Sequence, residues 1–137
     1  MDNKEKNLII KNKVINDQNI FVIAEIGVNH NGSIKTAFKL IDAAKEIGAD
    51  CVKFQYRCMH ETYSETALKM TSADLGTQYT INLLDKFNLS FEDIKILKGY
   101  CLTKKIMFLC TPWDKKSADH LSRLNVPAFK VASADLT

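Results

Sequence analysis

The chain is poor in the residues that interrupt regular structure. Its 137 residues include only 5 Gly and 2 Pro, which excludes collagen-like and low-complexity classes. A charge excess is also missing. The formal net charge is +3 and the lysines are dispersed, so charge gives no argument for a nucleic-acid partner. No apolar run approaches the ~18–20 residues of a membrane span. Met1 to Asn7 is polar and charged, without the apolar core of a secretory signal. The chain therefore reads as cytoplasmic, with neither a membrane nor a nucleic acid as partner. Cys51, Cys58, Cys101 and Cys110 form no Cys-x-x-Cys pair. Reduced, mostly buried thiols are expected rather than a zinc site or disulfide framework.

What is present is an apolar fraction of 46%, enough for a core and too much for disorder. Residues 1–19 hold two short apolar runs, Leu8–Ile10 and Val14–Ile15, around an Asn-containing turn. This predicts a small hairpin. Ile20 to Ile26 is nearly continuous, apolar and β-branched, the pattern of a strand buried on both faces. Ser33 is a good N-cap for a helix whose apolar stripe is Ile34, Ala37, Phe38, Ile41, Ala44 and Ile47. Cys51–Gln55 reads as a second strand.

Residues 56–77 mix charged, aromatic and hydroxyl side chains with weak periodicity, as functional connections do. A short helix is expected over 78–88, and a longer one capped by Ser90. Ile106–Cys110 reads as a third strand, residues from Ala118 to Leu124 as a helix, and Ala128–Ala132 as a fourth strand. Strands alternating with helices predict a parallel α/β sheet. Four such units are half of a (β/α)8 barrel, or a small doubly wound sheet. No Gly-x-Gly-x-x-Gly or Walker loop follows the first strand, which disfavours nucleotide binding.

Unusual polar residues cluster at the C-terminal ends of these strands, where parallel α/β folds bind ligands. They are Glu25 with Asn29, His30 and Asn31; Lys53 with Gln55; Thr111; and Lys130 with Ser133 and Asp135. A charge inside an apolar strand must be paired or bind something. One reading is a set of internal salt bridges among Glu25, Lys53 and Lys130. The other is an anion site, because two lysines and two hydroxyls suit phosphate and carboxylate groups. His30 reads either as an exposed turn residue or, with the flanking amides, as a group that grips sugar hydroxyls or orders the site. His60 and His120 read as solvated, Trp113 as rim packing, and Lys104–Lys105 and Lys115–Lys116 as solvated faces.

Phe21 to Gly32, with its Ala-Glu-Ile-Gly-Val-Asn-His-Asn-Gly core, strongly resembles the opening strand and loop of the sialic acid synthases. Val52–Gln55, Cys110–Asp114 and Phe129–Ser133 resemble later strand ends of the same family, in the same order. The resemblance implies the first half of a (β/α)8 TIM barrel over residues 20–137, preceded by the hairpin segment 1–19. It implies condensation of phosphoenolpyruvate with an N-acetylmannosamine-type aldose, giving a sialic acid and phosphate. Lys53, Thr111, Lys130 and Ser133 would bind the phosphate and carboxylate. Glu25 and Gln55 would face the sugar and the reacting centre. Asp135 stands where the family often has Glu, as a candidate for proton transfer. Asp is a methylene shorter, which sets its carboxylate ~1–1.5 Å back.

The resemblance further implies a divalent metal, manganese or magnesium. Its histidine ligands fall beyond residue 137, and no metal ligand is assigned within this chain. A C-terminal antifreeze-like domain and a homodimer are also implied. The expectation is that the barrel's second half is missing and that the chain alone lacks activity. Other readings are a different phosphoenolpyruvate–aldose condensing enzyme, or a non-catalytic, self-associating half-barrel that binds anions.

Overall fold

The chain's hairpin comes first in a computed structural model that describes residues 7–69 and 81–136. β1 (Leu8–Ile10) and β2 (Lys13–Ile15) pair antiparallel, with Leu8 opposite Ile15. Lys13 reaches out of this hairpin to Asp50 at 2.9 Å, anchoring it to the body.

A parallel three-stranded sheet follows, in the order β3 (Ile23–Gly27), β4 (Cys51–Tyr56), β5 (Met107–Pro112). Between β3 and β4 runs α1 (Ile34–Glu46), capped by the Ser33 hydroxyl, which accepts the Thr36 N–H at 3.2 Å. Between β4 and β5 lie α2 (Met59–Thr62), α3 (Glu65–Lys69), α4 (Ile81–Phe87) and α5 (Phe91–Thr103). A capping box starts α5: Ser90 accepts from the Asp93 N–H, and the Asp93 carboxylate accepts from the Ser90 N–H. α6 (Lys115–Arg123) begins at Asp114, whose side chain accepts the Ser117 N–H at 2.7 Å.

Strand alternation sorts the sheet's side chains. Val52, Phe54, Tyr56, Phe108 and Cys110 join Ala37, Ile41, Ala44, Ile94, Leu97 and Cys101 of α1 and α5 in one buried core. The intervening residues of the same strands, among them Lys53, Gln55 and Thr111, belong to the opposite face. A register shift between Glu25 and Gly27 bends the end of β3.

The sequence predicts a fourth strand at 128–132, and the structure does not form it. Among the described residues the sheet has three strands. After α6 the chain runs without ladder pairing and closes in a single 3-10 turn, Ser133–Asp135. A strand exists only where its backbone groups find a neighbour, and Pro127 removes one donor at the start. Phe129 and Val131 are accordingly exposed. The first strand is also shorter than its apolar run. Ile20, Val22 and Ile23 are exposed along an open edge rather than buried on both faces. The irregular segment after β4 contains the two short helices α2 and α3. The expected helix over 78–88 is present as α4, its first three positions lying outside the described residues.

Candidate functional site

The helix-free face of the sheet carries the polar strand residues. Glu25 of β3 pairs in register with Lys53 of β4, and Gln55 of β4 with Thr111 of β5. Lys53 is nearly buried, at 9% exposure, so its ammonium needs partners. It forms an ion pair with Glu25 and donates to the Thr111 hydroxyl at 3.5 Å. Glu25 is half-exposed at its carboxylate. Of the salt-bridge reading, the Lys53–Glu25 pair is present and Lys130 is not part of it, and Glu25 opens to solvent beside a cleft. An ammonium has three N–H donors, so one remains after Glu25 and Thr111 are served.

That cleft has a volume of about 540 Å³ and is lined by Glu25, Gly27, Asn29, Gln55, Arg57 and Trp113, among others. Gly27 has φ +53, and a Cβ there would lie 3.3 Å from Glu25 Oε1 and 3.4 Å from Gln55 Nε2. The glycine lets these two functional groups close over the end of β3. Arg57 donates to Gln55 Oε1 at 2.9 Å and lays its guanidinium 4.7 Å over the Trp113 ring. Gln55 is thereby held through its Oε1, with its amide NH2 beside Gly27.

Arg57 was not anticipated from the sequence. The available signal was alternation: Lys53, Gln55 and Arg57 fall on one face of an extended chain. Burial pulls the Arg57 pKa below its ordinary value, opposed by Tyr63 and Asp114. Asp114 was also missed. Its carboxylate accepts from the Cys58 N–H, the Thr62 hydroxyl, the Ser117 N–H and the Ser117 hydroxyl. Burial raises its pKa, but these four bonds together outweigh burial and hold it below the usual carboxylate value. Asp114 therefore ties the segment after β4 to the start of α6, beside Trp113.

Asn29 is exposed at the cleft wall. His30 is neither an exposed turn residue nor a group open to a sugar. It is 1% exposed, tilted against Phe54, and its Nδ1 accepts the Gly32 N–H at 3.1 Å. Burial lowers its pKa, opposed by the Gly27 backbone and Asp93. It orders the loop from beneath. Gly32 has φ +75, and a Cβ there would come within 2.5 Å of the Lys86 carbonyl oxygen.

Lys130, Ser133 and Asp135 are exposed and are not brought to Lys53. Ala134, between the last two, lines the cleft. Lys130 and Asp135 instead line a neighbouring hollow of about 340 Å³ with Trp113 and Asp114. His60 is exposed as expected. His120 is not solvated: its Nδ1 lies 3.1 Å from the Tyr56 hydroxyl, and its ring packs 4.4 Å from Phe91.

All four cysteines are free, and only Cys58 is partly exposed. Burial pushes the Cys51 and Cys101 thiols up to about 12, and raises Cys110 further. These three are packing residues rather than nucleophiles. Among the described residues no group of three or more His, Cys, Asp or Glu side chains gathers as a metal cradle. The described residues thus offer no cradle for the implied divalent ion.

Residues 40–137 match the model of the NeuB family. The spore coat polysaccharide biosynthesis protein SpsE of Bacillus subtilis is 41% identical over 130 residues, covering 93% of this chain and 34% of that protein. The N,N'-diacetyllegionaminic acid synthase of Legionella pneumophila is 38% identical over 122 residues, covering 85% and 34% respectively. The chain thus spans about a third of the length of the curated relatives it matches. Among solved structures, the sialic acid synthetase of Leptospira borgpetersenii, in complex with citrate, superposes with a TM-score of 0.79 at 28% identity. That superposition covers 96% of this chain and 42% of the other. The parallel sheet with Glu25, Lys53 and Gln55 on its open face is therefore a piece of a known architecture, and the chain belongs to the NeuB family, whose members include sialic acid synthases and related nonulosonic acid synthases.

Proposed function

We propose that this chain supplies the first strands of a (β/α)8 synthase that condenses phosphoenolpyruvate with an N-acetylmannosamine-type aldose. The products are a nonulosonic acid and inorganic phosphate. One observation carries the proposal: Lys53 is a nearly buried cation, paired with Glu25 and bonded to Thr111, beside an open cleft. The free donor on Lys53 and the Thr111 hydroxyl suit phosphate or carboxylate oxygens. Lys130 and Ser133 add to that anion site in the assembled barrel.

In the reaction, the enol carbon of phosphoenolpyruvate bonds to the aldehyde carbon of the open-chain sugar. Water adds to the resulting oxocarbenium-like carbon, and phosphate leaves by C–O cleavage. The Glu25 carboxylate is placed to stabilise that developing positive charge. Gln55, with its NH2 beside Gly27, orients the sugar. Asp135 is the candidate for proton transfer. Asn29 faces the cleft, and His30 supports the Asn29–Gly32 loop from within. A divalent metal, a homodimer and a cytoplasmic setting complete the proposal for the whole protein.

The test is phosphate release from phosphoenolpyruvate by the full-length protein with a panel of aldoses. Release that depends on an N-acetylmannosamine-type aldose supports the reading. Release with other aldoses alone would reassign the substrate, and binding of phosphoenolpyruvate without turnover would leave a non-catalytic anion-binding fold.

A further inference from the structure

Arg57 is the least explained charge in the molecule. It is 4% exposed, and among the described residues no carboxylate lies in ion-pair contact with it. A guanidinium does not neutralise itself by losing its proton. A buried cation with no carboxylate in direct contact is costly, and stacking on an indole with the more distant Asp114 charge offsets only part of that cost. Arg57 has five N–H donors; Gln55 Oε1 takes one from the Nη2 nitrogen and the Tyr63 side chain another, with the Asp114 charge nearby, which leaves donors unserved. Its stacking partner adds to the deficit: the Trp113 Nε1–H is buried with no acceptor among the described residues. Both side chains line the same cleft as Glu25, Asn29 and Gln55. Donors are in surplus on this side of the cleft, and an acceptor-rich group is what they lack.

Position separates this charge from Lys53. The two residues lie four apart on one face of an extended chain, so their backbones are about 13 Å apart. An anion held at Lys53 leaves Arg57 for a second group further up the strand. We propose that Arg57 is a binding residue for a substrate oxyanion, phosphate or carboxylate, on the Trp113 side of the cleft. A planar guanidinium grips such groups through paired N–H donors, which lysine does not reproduce. The assignment of that oxyanion to a substrate rests on the synthase reading above. Two sources share the chemistry: phosphoenolpyruvate itself, or an acidic group on the acceptor sugar.

Calorimetry on the full-length protein separates them. The probes are phosphoenolpyruvate, inorganic phosphate, N-acetylmannosamine and N-acetylmannosamine 6-phosphate, each titrated into wild type, Arg57→Met and Arg57→Lys. Thermal melting checks the fold of each variant. Arg57→Met is expected to weaken at least one charged probe by about 10- to 100-fold. It should leave the neutral sugar unchanged, and Arg57→Lys should recover only part of the loss. A loss on phosphoenolpyruvate or phosphate puts the oxyanion on the donor, and a loss confined to the sugar phosphate puts it on the acceptor. Tight binding of charged probes by wild type, undiminished in Arg57→Met, overturns the role of Arg57 and leaves the synthase reading intact. If Arg57→Met does not fold, Arg57→Lys at wild-type affinity overturns it equally. Wild type that binds no charged probe overturns both.

Discussion

At the scale of single residues, Lys53 and Glu25 carry unequal burdens. Lys53 is nearly buried and Glu25 half-exposed, so removing either has a different consequence. Glu25→Gln removes the opposite charge and leaves the ammonium only neutral acceptors, the new amide oxygen and the Thr111 hydroxyl. A stability loss of about 1–3 kcal/mol is expected in denaturant unfolding. Lys53→Met leaves the carboxylate free to hydrate, and its stability should stay within about 1 kcal/mol of wild type. His30 gives a pH signature. Its pKa is lowered in the fold, so below the ordinary value of 6.5 the unfolded chain binds the proton more readily. Unfolding free energy should therefore fall as pH drops through that region. His30→Phe should flatten the decline, and an unchanged slope would refute this account. Gly32→Ala meets both a positive φ and a backbone oxygen. A cost of about 1–3 kcal/mol is expected from the melting transition.

Elements show what local pattern can and cannot decide. The Ser33 and Ser90 caps, the stripe of α1 as far as Ala44, and strands β4 and β5 were legible, because caps and apolar periods are local properties; Ile47, expected on that stripe, is instead the exposed C-cap. Ser90→Ala should cost about 1 kcal/mol by removing one half of the capping box. Circular dichroism melting of that variant checks it. Residues 128–132 have an equally strand-like pattern, yet they form no ladder, since pairing depends on a neighbour the local sequence does not specify. The site divides in the same way. Glu25, Lys53, Gln55 and Thr111 were found because charge and amide groups stand out in apolar strands. Arg57 and Asp114 lie just past strand ends, where polar residues are ordinary, and only the folded geometry shows what they hold. His30 was ambiguous because an Asn-His-Asn-Gly loop is polar whether its imidazole points outward or into Phe54.

For the molecule as a whole, the open sheet face and edge matter most. Ile20 is 84% exposed, and Val22 and Ile23 beside it are also open, as are Leu8 and Ile9 of the hairpin. Such edges invite pairing between chains. The 137-residue chain is expected to self-associate at ~100 μM, and light scattering showing a clean monomer would contradict this. On the other face, Lys53 is proposed to bind a substrate anion. Calorimetric titration of phosphoenolpyruvate into the full-length protein and its Lys53→Met variant tests it most directly. Saturable binding by wild type, weakened at least about tenfold in a variant that melts like wild type, is the expected result. No binding by wild type, or equal affinity in Lys53→Met, would contradict the account.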